Sequence, residues 1–259
     1  MATAKVNGIK LHFEERSSAA RKEPLLMIMG LTFSLLDWGE DLPDALSKFY
    51  RVIIFDNRAS GRSEIPTRPF TVSDMANDAA GLLSELKIRR AHVFGISMGG
   101  MIAQELALKN PALVHKLVLG CTACSATISP DAIEKLGAPS RGDPPIWPYL
   151  FSPAFIKTNR TSLEKFWKKV EPLHSKGIAL QLQMDAVHSH NACNRLAKIV
   201  AETLILTGDT DPLIAPSNSA MLKSLIPKSV FPHAIKGARH GFPYSHWKKT
   251  LTALTGFLK

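Results

Sequence analysis

The sequence predicts an α/β protein with a mostly parallel sheet and helices on both faces. Three observations carry this. Short continuous apolar runs, such as Leu25 to Met29 and Tyr50 to Phe55, alternate with stretches whose apolar residues recur at helical spacing. The runs lack polar alternation, which marks strands buried on both faces, as in a parallel sheet. Finally, Gly95-Ile96-Ser97-Met98-Gly99 stands between one such run and a helix-forming stretch. A chain of 259 residues has room for one large core and an inserted cap.

Taken in order, residues 4–15 alternate as a strand or hairpin turning at Asn7 and Gly8. Residues 16–24 are charged, small and proline-ended, a loop. The buried run Leu25 to Met29 stops at Gly30, and Trp38 to Lys48 has helical spacing with Trp38, Leu42, Ala45 and Leu46 on one side. Tyr50 to Phe55 is the next strand, and residues 56–63 form a polar loop. Val72 to Leu86 is a helix capped by Thr71 or Ser73. Strand 91–94, the Ser97 turn and a helix to Leu108 follow, broken at Asn110 and Pro111. Lys116 to Gly120 is a strand. Residues 125–200 interrupt the alternation, being helical in tendency and proline-rich at 139–153. Thr203 to Leu206 resumes the strands, Ser217 to Leu225 is helical, Ser229 to Ile235 is a last strand and Tyr244 to Leu258 a last helix. The expected division is a core over 1–124, a helical cap over 125–200 and a second core segment over 201–259.

Composition narrows the function classes. No apolar stretch is long enough to span a bilayer, and Met1 to Lys5 lacks a signal-peptide core. Three cysteines, an odd number, suit a reducing cytoplasm better than a disulfide framework. The net charge of +10 is high, but the basic residues are scattered, aromatics are sparse and no nucleic-acid motif accompanies them. The expected partner is therefore a small molecule, with no nucleic acid and no membrane; a homo-oligomer is left open.

In a parallel sheet with helices on both faces, ligands bind beyond the carboxyl ends of the strands. Ser97 stands there. So do Asp209 and Asp211, after Leu206, and His240, after Ile235. A serine hydroxyl is a weak nucleophile near neutral pH. It needs a base within hydrogen-bond reach, and the base needs an acid to hold its tautomer and its charged form. The G-x-S-x-G turn lifts the hydroxyl above the sheet, with glycine on each side because a side chain there would collide with the strained turn. The helix after it aims free N–H groups at the same spot.

The stretch Met29-Gly30-Leu31 through Trp38, the stretch Phe55 to Ser63, the Ser97 turn, Gly208 to Pro212 and Gly237 to Gly241 together resemble the α/β-hydrolase superfamily. Within it, the chain resembles the small esterase and lactonase branch, including enol-lactonases and acyl-lactone hydrolases. The resemblance implies the α/β-hydrolase fold with an inserted helical cap. It implies Ser97 as nucleophile, His240 as general base and Asp211 as the acid, preferred over Asp209 because the family's acid follows the glycine by three residues. It implies an oxyanion hole of the Leu31 and Met98 backbone N–H groups, and no metal or organic cofactor. Relatives usually carry His-Gly where this chain has Met29-Gly30, and glycine where Ala59 stands. The loop 56–63 is expected to brace the nucleophile turn. The implied chemistry is hydrolysis of a carboxylic ester or lactone. Cofactor-free haloperoxidase-like chemistry and C–C bond hydrolysis rank below it, and a ligand-binding receptor on the same fold is the rival from another class.

Weaker signals have plainer readings. Cys121-Thr122-Ala123-Cys124 leaves a mid-chain strand, the wrong place for a redox motif. His188, His190 and Cys193 imitate a metal site without a second ligand pair. His233 and His246 read as structural. Trp147, Tyr149 and Phe151 in the cap are candidate pocket residues, with cap packing as the alternative.

Overall fold

A computed structural model describes residues 2–17, 22–126, 134–135, 143–232 and 234–259. Its sheet comprises β1 (Ala2–Val6), β2 (Ile9–Arg16), β3 (Pro24–Ile28), β4 (Arg51–Phe55), β5 (Ala91–Ile96), β6 (Val114–Gly120), β7 (Glu202–Leu206) and β8 (Ser229–Val230). The spatial order is β1-β2-β4-β3-β5-β6-β7-β8. The pairs β1–β2 and β2–β4 are antiparallel, and every later pairing is parallel. Asn7 and Gly8 both take positive φ (48° and 80°), the twist a two-residue hairpin turn requires.

Helices α1 (Asp41–Ser47), α2 (Val72–Glu85), α3 (Met98–Lys109), α4 (Trp147–Leu150), α5 (Pro153–Val170), α6 (Gly177–His188), α7 (Ser217–Leu225), α8 (Phe242–Ser245) and α9 (Trp247–Phe257) cover the sheet. Because side chains alternate along a strand, each apolar run feeds two cores. Leu26, Ile28, Ile53, Phe55, Val93, Leu117 and Leu119 face one core with α2, α3 and α5 to α7. Leu25, Met27, Val52, Ile54, Phe94 and Val118 face the other, closed by Leu42 and Leu46 of α1 and Leu254 of α9. Each such fully buried side chain contributes about 1.5–3 kcal/mol relative to exposure. This two-sided burial explains why the runs show no polar alternation.

Capping agrees with the sequence where the cap is local. Thr71 accepts the N–H of Asp74, and Asp74 reaches back to Thr71 at the start of α2. Ser152 caps α5, with Pro153 at its first position. Elsewhere boundaries move. The helix expected from Trp38 is a 3-10 turn over Leu35–Trp38, interrupted by Gly39 at φ 70° before α1 begins. The last strand stops at Val230 rather than reaching Ile235, because Pro232 has no N–H for the ladder; pairing resumes only as an isolated bridge between Gly208 and Ile235. His233 lies outside the described residues. The last helix divides at His246, where φ is −124° and ψ 37°. Among the described residues, no helix is long and apolar enough to cross a membrane.

The cysteines depart from expectation. Cys124 and Cys193 form a disulfide across 69 residues, and Cys121 stays free and buried. The pairing follows from the return of the chain after α6 to the exit of β6, where Ser125 bridges Asn191 and the Ala192 N–H donates to the Cys124 carbonyl at 2.8 Å. Cysteine counting could not see that return. A loop of this length restrains the unfolded chain by about 4 kcal/mol in the chain-entropy model. Urea denaturation without reductant should therefore show Cys124→Ser less stable than wild type by about 2–5 kcal/mol, with the two coinciding once dithiothreitol is added. A wild-type midpoint indifferent to reductant would count against the bond.

Candidate active site

Ser97 joins β5 to α3 with φ 55° and ψ −126°, a conformation that costs a non-glycine residue on the order of 1–3 kcal/mol. Its N–H donates to the Gly120 carbonyl at 2.9 Å, and its carbonyl accepts from Thr122 Oγ1 at 2.7 Å and the Gly100 N–H at 2.9 Å. The flanking glycines are needed for a reason the sequence does not reveal. A Cβ on Gly95 would lie 2.1 Å from the Gly99 carbonyl oxygen, and one on Gly99 2.1 Å from that of Ile28. The collision is with the neighbouring helix start and strand β3, not with the serine backbone.

His240 and Asp211 come from loops at the same rim. Asp211 Oδ2 accepts from His240 Nδ1 at 2.7 Å, while Oδ1 accepts the N–H groups of Leu213 (2.9 Å) and Ile214 (3.1 Å). With Nδ1 engaged, Nε2 is the ring nitrogen left for another partner. Burial pulls the His240 imidazole down, but the adjacent Asp211 carboxylate, together with Cys121, holds the ring well above its ordinary value. Cys121 lies beneath the pair, its Sγ 3.5 Å from the His240 carbonyl; burial pushes its thiol up, so it stays protonated. Asp209 is exposed and accepts the Gly237 N–H at 2.8 Å, bracing a turn. It has no contact with His240, so geometry separates the two acids.

Ser97 and His240 share one cavity of about 730 Å³, its mouth included. Among the described residues no direct hydrogen bond joins the Ser97 hydroxyl to the imidazole. Leu31 lines the cavity, and Met98 occupies the first position of α3, where an N–H has no intrahelical acceptor. Apart from Asp37, Ser97 and His240, the wall is mainly apolar or aromatic and includes Phe33, Trp38, Leu150, Phe151, Phe166 and Trp167. Phe151, a candidate pocket residue, lines this cavity; Trp147 and Tyr149 are absent from its wall. Trp147 packs edge-on behind Trp167 at 6.1 Å, and the Tyr149 carbonyl accepts the His240 N–H at 3.3 Å. Alternate positions on a one-turn helix cannot all face one cavity.

The loop 56–63 braces the site. Asp56 accepts the N–H groups of Leu35 (2.6 Å) and Arg62 (2.9 Å), and Asn57 Nδ2 donates to the Met29 carbonyl at 2.9 Å. Burial raises the Asp56 carboxyl despite those donors. Arg58 is tied to Asp78 by two contacts of 2.5 and 2.7 Å. Ala59 takes φ 61°, the left-handed conformation that glycine provides without cost.

Two residues escaped the sequence reading. Gln183 of α6 is fully buried; its Oε1 accepts the Thr32 N–H at 2.8 Å, and its Nε2 donates to the Arg58 carbonyl (3.0 Å) and Ser60 Oγ (2.7 Å). It thereby fixes the residue after Leu31, itself at φ 66°, to the bracing loop. Asp37, in the cavity wall, pairs with His174. A glutamine amid Leu182, Met184, Ala186 and Val187 was the available signal for the first; nothing local marked the second.

Among the described residues, two clusters bring potential metal-ligand atoms together: Cys121, Asp211 and His240, and, separately, Glu23, His92 and His115. In the second, the two imidazoles stack at 4.6 Å and 15°, so their in-plane lone pairs run nearly parallel rather than converging on one ion. His190 instead approaches Glu105 at 3.5 Å, and the Cys193 sulfur is in the disulfide.

Comparison with known proteins matches a family model described as alpha/beta hydrolase fold to residues 23–144. The poly(3-hydroxyalkanoate) depolymerase of Ectopseudomonas oleovorans is 29% identical over 215 residues, 80% of this chain and 74% of that protein. The serine hydrolase BPHL of Homo sapiens is 31% identical over 122 residues, 46% of this chain and 41% of that protein. Several other curated relatives are likewise matched over less than half of their own length. Among solved structures, the enol-lactonase of Burkholderia xenovorans LB400 superposes with a TM-score of 0.87 over 99% of both chains at 23% identity, a likeness of fold.

Gln183→Leu would strand the Thr32 N–H, the Arg58 carbonyl and Ser60 Oγ in the interior. It should destabilise the protein by about 2–4 kcal/mol in urea denaturation.

Proposed function

We propose that this chain, which has the α/β-hydrolase fold and matches that family's model over residues 23–144, hydrolyses a carboxylic ester or lactone through an acyl-enzyme on Ser97. The observation that carries the reading is the 2.7 Å Asp211–His240 contact beside a cavity that also holds Ser97. The names of two relatives, a polyester depolymerase and a serine hydrolase, lean the same way.

The Ser97 hydroxyl attacks the substrate carbonyl carbon as its proton passes to His240 Nε2. Asp211 holds the imidazolium that results. The tetrahedral oxyanion accepts from the Leu31 and Met98 N–H groups, assisted by the partial positive charge at the start of α3. Each donor of this kind is worth about 3–4 kcal/mol of transition-state stabilisation. The carbon–oxygen bond then breaks, and the alkoxide leaves with the proton from Nε2. Water, deprotonated by the same imidazole, attacks the acyl-enzyme; collapse returns Ser97 its proton and releases the acid. A lactone differs only in that the leaving alcohol stays tethered to the acyl group.

Hydrolysis of short p-nitrophenyl esters should fall by at least about a thousandfold in Ser97→Ala; equal rates in variant and wild type would sink the assignment. Catalysis needs neutral His240, whose proton affinity is raised in the folded protein. Activity should therefore rise with pH through a midpoint above the ordinary imidazole value of about 6.5. In Asp211→Asn that midpoint should fall, since the carboxylate that opposes burial at the ring is gone, and kcat should drop by about ten-thousandfold. The dependence of kcat/KM on pH measures both.

A further inference from the structure

The cavity that holds Ser97 contains one charged side chain unused by the chemistry above. Asp37 lies in its wall among Phe33, Trp38, Phe166 and Trp167. A carboxylate against apolar walls is costly unless its oxygens are satisfied. Here the satisfaction is built but incomplete. Asp37 Oδ2 accepts twice from Ser34, from its N–H at 2.9 Å and its Oγ at 3.0 Å. Oδ1 accepts once, from His174 Nε2 at 2.9 Å. The side chains of Asp37 and His174 are only 6% and 7% exposed. A carboxylate offers about four acceptor positions, and among the described residues three are taken, which leaves one on Oδ1 without a protein donor.

The cap of the 3-10 turn accounts for Oδ2 alone. Oδ1 is held by a residue 137 positions away in the sequence. His174 stands directly behind the wall, its ring 4.8 Å from that of Phe33 and 5.0 Å from that of Trp167. It cannot swing away without unpacking both. The open position on Oδ1 is therefore fixed in direction, as a recognition group has to be.

We propose that Asp37, oriented by Ser34 and His174, is a substrate-binding group that accepts a hydrogen bond from a hydroxyl carried by the ester at a distance from its scissile carbonyl. The inference rests on the hydrolase reading for the nature of the ligand. It adds a class: hydroxylated esters or lactones in preference to plain alkyl ones. An unsubstituted chain filling the same space dries the open acceptor and leaves it unpaired. Sites built to pair a substrate hydroxyl discriminate strongly against the analogue that lacks it.

The test uses matched p-nitrophenyl esters with plain acyl chains and with one hydroxyl at graded positions. A second series carries the hydroxyl on the alcohol side. The quantity read is the ratio of kcat/KM for hydroxylated over plain ester of equal length. Wild type should show a ratio of at least about tenfold at one hydroxyl position. The series in which it occurs identifies the side of the ester that meets Asp37. In Asp37→Asn, which keeps the shape and an oxygen for Ser34 but presents N–H groups toward His174, the ratio should collapse toward one. A wild-type ratio near one at every position in both series overturns the proposal. So does a ratio preserved in Asp37→Asn, including the case where both kinds of ester slow equally, since a merely structural role does that. Binding of the same pairs to Ser97→Ala, measured by calorimetry, reads the preference without turnover. It separates failure of the subsite from failure of the hydrolase reading: lost discrimination with a Ser97-dependent rate sinks only the first, and discrimination in binding with a rate independent of Ser97 sinks only the second.

Discussion

The site depends on a backbone contact with no side chain in it. Gly95, Gly99 and the carbonyls of Ile28 and Met29 approach so closely that a methyl group at either glycine would overlap main-chain atoms. That packing holds the start of α3 against the end of β3 and leaves Ser97 no relaxed conformation. It also brings the Leu31 loop beside Ser97, because Gly30 in turn sits against the Ser97 side chain. Ser97 and the backbone around Leu31 are thus positioned by one constraint, in an interior where dipoles act strongly.

Around this contact the structure spends buried polar groups freely. Asp56 takes two backbone donors, Gln183 serves three partners, and Ser175 Oγ donates to the Ala59 carbonyl at 2.6 Å while its N–H reaches the Thr32 carbonyl at 2.9 Å. These bonds connect the loops after β3 and β4 to the helices between β6 and β7. Buried polar networks cost stability when one member is lost and give rigidity when all are paired. Here they hold Thr32 and Ala59 at positive φ, conformations that neither residue favours alone. Local strain at the rim is offset by tertiary hydrogen bonds drawn from distant segments.

The helices between β6 and β7 have a second task. Leu150 and Phe151 follow the residue whose carbonyl accepts the His240 N–H, and Phe166 and Trp167 form the facing wall. The backbone that carries the imidazole and the surface that receives the ligand are therefore one packed unit. His174 and Asp37 belong to that unit, joined across the same seam.

The sequence by itself determined the alternation of strands and helices, the strained turn at Ser97 and the order of serine, acid and histidine. These depend on periodicity, glycine placement and short motifs, which act over a few residues. Tyr244 to Leu258 shows the limit even there, since its break at His246 left no local mark. The preference for Asp211 over Asp209 leaned on a family spacing; which of the two carboxylates touches His240 is a tertiary fact, since both sit on one loop and Asp209 instead accepts the Gly237 N–H. Tertiary structure also decided which aromatic residues reach the cavity, since the phase of the one-turn helix α4 is set by what packs behind it. The Cys124–Cys193 bond, the reach of Gln183 to Thr32 and the pairing of Asp37 with His174 span 69, 151 and 137 positions. No local pattern encodes a contact at that separation; it exists only once the core has brought the segments together.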